Sequence, residues 1–361
     1  MAIVGAGIVG AACAAECARA GMRVTVIEPG IIGGGATAAG MGHIVVMDDS
    51  EAQFALTRLS RDLWIELAPD LPKSVEVVPC GTLWVAADEE EMREVQRKHD
   101  FYAARGVSTE ILDARQLHEA EPNLRAGLAG ALLVSQDSVV YPPCAALELI
   151  QTSGAKVVSA RAVAIESEKV VLESGAAIQA GAVINAAGIH AGALMPSIPV
   201  SIAPRKGHLL ITDRYPGFVR HQLVELGYLK SAHSTTSSSV AFNVQPRPTG
   251  QLLIGSSRQF GTDYPEIDSS MMARMLQRVT EYMPGIARLS AIRGWTGFRA
   301  ATPDKLPLIG SCPGLTNTYI AAGHEGLGIT TSLGTARILV DYMTGKTPPI
   351  PIAPYLPDRH A

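Results

Sequence analysis

The chain has 361 residues, enough for two domains with sizeable hydrophobic cores. Its formal net charge is −4, so the charge balance gives no indication of binding to nucleic acid or to an anionic membrane surface. Charged residues make up 18% of the chain, against roughly 25% in typical soluble proteins. The excess of apolar residues fits either a large core or an interface within a homo- or hetero-oligomer.

The cysteine content predicts neither a zinc site nor a disulfide framework, because the five cysteines form no C-x-x-C pair and their number is odd. We therefore expect no bound metal. Free thiols suit a reducing compartment, which predicts a cytoplasmic location and leaves peripheral attachment to the inner membrane open. No uninterrupted apolar run reaches about 18 residues, so no transmembrane helix is expected.

The N-terminal stretch predicts a dinucleotide-binding fold. A short apolar strand runs into glycines spaced G-x-G-x-x-G, a helix rich in small residues follows, and a second apolar strand ends on Glu28. Gly5 permits a tight turn, Gly7 lets a pyrophosphate approach the backbone, and Gly10 lets helix and strand pack closely. The helix N-terminus offers N–H groups and a positive dipole end to phosphates. Glu28 is placed to accept hydrogen bonds from ribose hydroxyls, and the alternative is a glycine-rich turn without a ligand.

A second glycine-rich loop, residues 29–43, favours FAD over NAD, because the longer cofactor must be guided toward its flavin. Thr37 is predicted there as a helix N-cap or as a phosphate contact. The alternative is a flexible surface loop. The cofactor contacts predicted from the two segments are Gly5, Ala6, Gly7, Ile8, Val9, Gly10, Glu28, Pro29, Gly34, Gly35, Ala36, Thr37, Gly40, Met41 and Gly42.

Capping signals and apolar periodicity predict further helices at 50–67, 88–105, 141–154 and 268–282. Three apolar runs at 207–212, 239–244 and 251–255 predict an antiparallel sheet, and residues 234–239 predict a polar loop. Met271, Met272 and Met275 are interpreted as core filler. A buried strand at 182–188 ends on Ala187 and Gly188, whose small size would let a cofactor approach the backbone. A core strand with a tight exit is the alternative.

The last predicted strand, residues 318–321, leads into a second glycine-flanked helix N-terminus, which is again suited to holding negative charge. The helix that follows is predicted to end near Met343. The residues at this helix N-terminus are Gly326, Leu327, Gly328, Ile329 and Thr330.

Five ordered motifs together resemble the D-amino acid oxidase-like family of FAD-dependent amine oxidoreductases, which includes glycine oxidase, monomeric sarcosine oxidase and bacterial D-amino acid dehydrogenases. The motifs are Ile3-Val4-Gly5-Ala6-Gly7-Ile8-Val9-Gly10, Gly34-Gly35-Ala36-Thr37-x-x-Gly40-Met41, Asn185-Ala186-Ala187-Gly188, Gly297-Phe298-Arg299-x-x-Thr302-Pro303-Asp304 and Gly323-His324-x-x-x-Gly328. Within the family, Gly40-Met41-Gly42-His43 and Gly255-Ser256-Ser257-Arg258-Gln259 are most similar to the hydroxyproline-pathway dehydrogenases that act on cis-4-hydroxy-D-proline.

The resemblance implies an α/β fold with a discontinuous, Rossmann-like FAD-binding domain at 1–75, 138–203 and 293–361. It implies a substrate domain of antiparallel sheet plus helices at 76–137 and 204–292. Gly297 stands where sarcosine oxidases carry the cysteine that links to flavin. The resemblance therefore implies noncovalent FAD.

The resemblance also implies individual roles. Val163 would contact adenine through its backbone, and the segment from Gly326 to Thr330 would lie near the flavin pyrimidine ring. Arg299 matches the arginine that clamps the substrate carboxylate and is also expected at the cofactor, with a structural salt bridge as the alternative. Asn243 stands where several relatives place a substrate-binding tyrosine. Met41 is expected to contact the substrate as well.

The implied reaction is hydride transfer from the substrate Cα to flavin N5, which gives an imine and sends the electrons to an acceptor other than NAD. His43 and His324 are the candidate bases for the amine proton, because an imidazole titrates in the right range; a structural histidine is the alternative for each. An oxidase that uses O2, a tRNA-modification module and a non-catalytic FAD-holding subunit also remain open. The acidic balance disfavours the tRNA module.

Overall fold

The computed structural model describes residues 1–198, 200–227, 238–262 and 264–359, so residues 234–237 of the predicted polar loop lie outside the described residues. The chain folds as two compact units. Unit 1 comprises Met1–Val75, Val140–Arg205 and Phe298–Ala361, and unit 2 comprises Glu76–Val139 and Lys206–Gly297. Two of the changes between units, after Arg205 and after Gly297, fall within a strand that continues through the change.

In the described part of the chain the helices are numbered α1 to α8 and span Ile8–Arg19, Gly35–Ala38, Glu51–Leu67, Glu89–Ala103, Ala114–Ala120, Pro142–Ser153, Ser269–Tyr282 and Gly328–Met343. Ser50, Asp88 and Asp268 are the N-caps of α3, α4 and α7, and each side chain accepts a hydrogen bond from a first-turn backbone N–H. The predicted starts of these helices are confirmed. Within the described ranges, no helix has the length and apolarity that crossing a membrane requires.

The strands are numbered β1 to β19 in chain order and span Ala2–Val4, Thr25–Ile27, His43–Ile44, Thr82–Ala86, Glu110–Asp113, Gly130–Val134, Ser138–Val139, Lys156–Val158, Ala162–Glu166, Lys169–Leu172, Ala177–Gln179, Val183–Asn185, Ala203–Arg214, Gln222–Glu225, Ser239–Pro246, Gln251–Arg258, Ala291–Ala301, Leu308–Ser311 and Thr318–Ala322.

Unit 1 is built on a six-stranded sheet in the order β18-β19-β12-β1-β2-β8. Five of these strands are parallel, and β18 joins the edge antiparallel to β19. Helix α1 packs against α6 and α8, and α3 packs against α8. This confirms the predicted α/β class. Because parallel strands end at one edge of the sheet, the segments that follow β1, β2, β12 and β19 meet there.

Unit 2 contains an eight-stranded sheet in the order β17-β13-β16-β15-β14-β4-β6-β5. Strands β13 to β16 pair antiparallel, as predicted, whereas β4 lies parallel to β14, since it arrives from a separate segment rather than through a hairpin. Helix α7 covers one face, where Met271 and Met275 are buried, and Phe242 stacks on Tyr282 with ring centroids 4.5 Å apart. The interpretation of these two methionines as core residues is confirmed.

Candidate functional site

The first glycine turn, Gly5 to Gly10, joins the central strand β1 to helix α1. Gly5 has φ +102°, and a Cβ added there would lie 2.6 Å from the carbonyl oxygen of Ala186. A Cβ at Gly10 would lie 2.0 Å from the carbonyl oxygen of Gly5. Both separations are far below van der Waals contact, so the packing of β1, α1 and the segment after β12 itself requires these two glycines.

Gly7 is constrained differently. It is the N-cap of α1, has φ −65°, and is therefore in a conformation open to any residue. The nearest atom to a Cβ added at Gly7 would be Thr37 Oγ1, at 3.2 Å. The chain itself therefore excludes a side chain here much less strongly than at Gly5 or Gly10. Packing therefore does not account for Gly7 as it does for Gly5 and Gly10.

Thr37 lies within α2, whose N-cap is Gly34, so Thr37 does not cap the helix to which it belongs. Its hydroxyl instead accepts a hydrogen bond of 3.0 Å from the N–H of Ile8, the first residue of α1. Thr37 therefore caps α1 from 29 residues away in the chain. The sequence suggested a cap but could not identify its helix, because the contact is tertiary.

Glu28 follows β2 at the same sheet edge. Its Oε2 accepts a hydrogen bond of 2.9 Å from the N–H of Ala6, and its Oε1 accepts one of 2.8 Å from the N–H of Gly30. The carboxylate is thus fixed beside the glycine turn by two backbone donors. Each carboxylate oxygen can accept more than one hydrogen bond, so Glu28 retains acceptor capacity for the two hydroxyls of a ribose.

The second loop is anchored on the first turn of α8. The Thr330 hydroxyl donates a hydrogen bond of 2.7 Å to the carbonyl oxygen of His43, and a Cβ added at Gly40 would lie 2.6 Å from Ile329 Cδ1. From α3, the Trp64 indole N–H donates to the carbonyl oxygen of Ile329 at 3.2 Å. The loop with Met41 and His43 is therefore brought to the N-terminus of α8. Trp64 was not singled out from the sequence as part of this arrangement, because its apolar periodicity indicated only core packing.

The remaining predicted cofactor positions also lie in unit 1. Ala187 and Gly188 follow β12, directly after the Ala186 carbonyl that packs on Gly5. Val163 is on β9, in a small antiparallel sheet with β10 and β11, and is 45% exposed. The ladder between β9 and β10 pairs Ala164 with Val171 and Ala162 with Leu172. Val163 is thus the extra residue of a bulge, which is a place where a backbone can contact something other than its neighbouring strand.

Arg299 lies on β17 and is partly exposed. Its side chain crosses Gly326, where an added Cβ would be 3.1 Å from Arg299 Cδ and 3.2 Å from Nε. The N–H of Glu325 donates to the carbonyl oxygen of Ala300 at 2.9 Å. The turn that begins α8 is therefore bonded to the strand that carries Arg299. The structure brings Arg299, the second loop and the N-terminus of α8 into one unit.

The two candidate histidines differ in environment. The residue His43, at the end of the second loop, is partly exposed, although its ring atom Nε2 is buried. His324 is only 8% exposed, its Nε2 is 3.0 Å from Thr335 Oγ1, and burial lowers its pKa to about 3. An imidazole with such a pKa is a weak base in a site that must accept an amine proton near neutral pH. The environment of His324 therefore favours a structural role.

Asn243 belongs to unit 2, on β15, and is 8% exposed. Its register neighbours are Val224 on β14 and Gly255 on β16. Among the described residues, its side-chain oxygen Oδ1 has no hydrogen-bond partner. A buried amide oxygen in that state is costly unless something else donates to it, which is compatible with a ligand contact.

The contrast between the glycines gives a first prediction. Gly10→Ala should cost about 3 kcal/mol of folding free energy or more, because its Cβ meets backbone that cannot yield. Gly7→Ala should cost about 1 kcal/mol or less, the difference between glycine and alanine at an N-cap. It should nevertheless weaken FAD binding roughly tenfold or more, equivalent to about 1.4 kcal/mol. Urea unfolding of the apoprotein and FAD titration measure the two effects. Wild-type FAD affinity in Gly7→Ala would exclude the phosphate contact.

The buried imidazole gives a second prediction. His324 stays neutral in the folded protein down to a pKa of about 3, whereas in the unfolded chain it takes up a proton below a pKa of about 6.5. Unfolding therefore binds a proton between these values, and stability falls as pH falls, by about 1.4 kcal/mol per pH unit for this group. Between pH 6 and 4, the free energy of unfolding of His324→Gln should therefore fall less steeply with falling pH than that of the wild type, by about 1.4 kcal/mol per pH unit. The exposed His118→Gln should keep the wild-type slope, and equal slopes in all three proteins would contradict the prediction.

Comparisons with known proteins identify the family to which the chain belongs. A family model described as DAO, FAD dependent oxidoreductase, matches residues 1–342. The chain is 28% identical over 381 residues to a glycine oxidase of Geobacillus kaustophilus, with 100% of this chain and 97% of the relative covered. It is 26% identical over 321 residues to a D-amino acid dehydrogenase of Rhizorhabdus wittichii, with 84% of this chain and 74% of the relative covered.

Solved structures show the same fold. The crystal structure of glycine oxidase from Geobacillus kaustophilus matches with a TM-score of 0.89 at 26% identity and covers 100% of this chain and 98% of that chain. The L-proline dehydrogenase from P. horikoshii matches with a TM-score of 0.86 at 24% identity, covering 99% of this chain and 96% of that chain, a likeness of fold alone. The predicted family resemblance is confirmed: since the family model spans nearly the whole chain, this protein belongs to the DAO family of FAD-dependent oxidoreductases and is an enzyme that uses FAD.

Proposed function

We propose that this enzyme oxidises a small amino or imino acid to its imine, with cis-4-hydroxy-D-proline or another D-imino acid as the leading substrate. The observation that carries the proposal is the position of Arg299 across Gly326, at the start of α8 and bonded through its strand to the same turn. A guanidinium fork suits a carboxylate, and every amino acid supplies one. The second-loop sequence Gly40-Met41-Gly42-His43 supports the choice of a cyclic D-imino acid.

The residues of unit 1 fit FAD. Gly7 leaves space against the backbone at the N-terminus of α1, and the Glu28 carboxylate is held ready for ribose hydroxyls. The N-terminus of α8 offers a second positive dipole end, placed by the Thr330–His43 bond, for negative charge on the flavin. We extend the proposal to Val163 at the adenine and to unit 2 as the substrate-binding unit. Gly297 has no side chain to bond to the flavin, so FAD is held noncovalently.

Bound FAD supplies the acceptor for the hydride that leaves the substrate Cα. The protein's own part is to position the substrate and to handle its proton. Arg299 holds the carboxylate, which fixes the orientation of Cα and converts a random encounter into a defined approach. The substrate nitrogen must lose a proton before or as the hydride leaves, and the His43 imidazole is the group that we assign to this proton. We also assign Asn243 Oδ1, which has no hydrogen-bond partner in the part of the chain that the structure describes, as an acceptor for a polar group of the substrate.

The electron acceptor defines a second candidate function. The similarity to glycine oxidase over the whole chain favours an oxidase that returns its electrons to O2 and acts on glycine or sarcosine. The similarity to a D-amino acid dehydrogenase favours a different acceptor, such as a carrier or a partner subunit. We keep the dehydrogenase as the leading proposal because of the second-loop sequence.

Anaerobic bleaching of the bound flavin tests the proposal directly. We expect cis-4-hydroxy-D-proline or D-proline to bleach the flavin absorbance within seconds to minutes, and glycine and sarcosine to bleach it more slowly. Readmission of air then separates the two functions: fast peroxide formation indicates an oxidase, whereas slow reoxidation with fast reduction of an added dye indicates a dehydrogenase. Flavin that stays oxidised with all four compounds would contradict amine oxidation by this enzyme.

Arg299 gives a separate prediction. Arg299→Leu should raise KM for the amino acid at least tenfold, because loss of hydrogen bonds to a charged group costs about 1.5–3 kcal/mol. Arg299→Lys should lie between the leucine variant and the wild type, since an ammonium keeps the charge but not the fork. Arg293 is an exposed arginine on the same strand, so Arg293→Leu is the matched control and should keep the wild-type KM. Steady-state kinetics give the result, and an unchanged KM in Arg299→Leu would contradict the clamp.

A further inference from the structure

A buried ion pair lies beside the turn that Arg299 crosses. The Arg205 guanidinium donates to Oε1 of Glu325, and both side chains are only 8% exposed. Oε2 of Glu325 is buried too and has no hydrogen-bond partner within the described ranges. Burying a carboxylate costs free energy unless an opposite charge compensates it, and for Glu325 that charge is the Arg205 guanidinium.

The ion pair holds a turn of unusual backbone conformation. Glu325 has φ +41° and Gly326 has φ +88°. A positive φ is uncommon for a residue with a side chain, so Glu325 needs other contacts to stay there. Two such contacts are present: the side chain is fixed by Arg205, and the backbone N–H is fixed by the carbonyl oxygen of Ala300. The turn is therefore held at both the side chain and the backbone of one residue.

The turn formed by Glu325 and Gly326 supports the Arg299 side chain. A Cβ added at Gly326 would be 3.1 Å from Arg299 Cδ, so the aliphatic stem lies directly over the Gly326 backbone. Ala300, which accepts the Glu325 N–H, is the next residue after Arg299. A displacement of the turn by even a few tenths of an ångström would therefore move both strand β17 and the aliphatic part of the Arg299 side chain, and with them the guanidinium.

From these contacts we propose that Arg205 and Glu325 are positioning residues, which orient Arg299 toward the substrate carboxylate without touching the substrate. The proposal rests on the proposed role of Arg299. It predicts a defect specific to ligands that carry a carboxylate. A merely structural ion pair would instead lower stability and affect all ligands alike.

The test uses Glu325→Gln in the FAD-loaded enzyme. We expect the affinity for pyrrole-2-carboxylate, measured by calorimetry, to fall at least tenfold. The value of kcat/KM for D-proline should fall by a similar factor, mainly through KM, while kcat/KM for pyrrolidine, which lacks a carboxylate, should stay within twofold of wild type. Arg205→Met should lose affinity for pyrrole-2-carboxylate and kcat/KM for D-proline in the same way. Arg205→Lys, which keeps the charge, should show a smaller loss of both.

Glu76→Gln is the matched control, because Glu76 also has a positive φ, +52°, and pairs with an arginine, Arg247. It should lower stability but leave the preference for D-proline over pyrrolidine unchanged. If Glu325→Gln does not fold, the double variant Arg205→Met with Glu325→Gln, which leaves no unpaired buried charge, is compared in the same way.

Equal losses for D-proline and pyrrolidine, or no loss for either, would overturn the positioning role while leaving amino acid oxidation intact. A failure of the proposed function looks different. In that case the wild-type flavin stays oxidised with every amine. The positioning role is then tested only by the calorimetric affinity for pyrrole-2-carboxylate. A tenfold loss of this affinity in Glu325→Gln supports the positioning role, and an unchanged affinity overturns it.

Discussion

The hydrogen bond from the Thr330 hydroxyl to the carbonyl oxygen of His43 is the contact on which the candidate site depends most. It joins residues 287 positions apart and fixes the end of the second loop to the first turn of α8. The same helix is held against α3 by the Trp64 indole and by Ser60, whose hydroxyl accepts the N–H of Gly334 at 2.9 Å. A single such bond contributes only about 1 kcal/mol. Its importance lies in bringing the predicted flavin-binding loop and the predicted flavin-binding helix end to one place.

The glycine-rich segments serve two distinct needs. Gly5 and Gly10 are required by the protein's own packing, since a side chain at either would collide with backbone. Gly7 is sterically much less constrained by the protein, as expected of a position proposed to face a ligand. The motif already assigns different roles to the three positions, and in the structure the two glycines that build the turn are distinct from the one that the turn exposes. This distinction also explains why such a motif specifies both a fold and a binding property.

The sequence was sufficient for what depends on local pattern. It predicted the strand–helix–strand unit at the N-terminus, the N-caps Ser50, Asp88 and Asp268, and an antiparallel sheet between residues 207 and 255, whereas the discontinuous Rossmann-like domain was implied by the family resemblance. It could not predict contacts between distant side chains. Nothing in the local sequence around Arg205 or Glu325 indicates that they pair across 120 residues, or that Thr37 caps a helix other than its own. Such contacts follow from the packing of complete elements, and periodicity and spacing carry no information about that packing.

The three-segment construction of unit 1 has a consequence for biosynthesis. The glycine turn is synthesised well before its partners, because the Ala186 carbonyl that packs on Gly5 and the helix α8 that packs on α1 lie much later in the chain. Until then, the nascent N-terminal segment exposes small apolar surfaces whose partners do not yet exist. Contacts of such sequence separation slow folding and prolong the time during which aggregation competes with it. The N-terminal third of the chain, which carries the most recognisable motif, therefore lacks the contacts that complete its packing until α8 has been made.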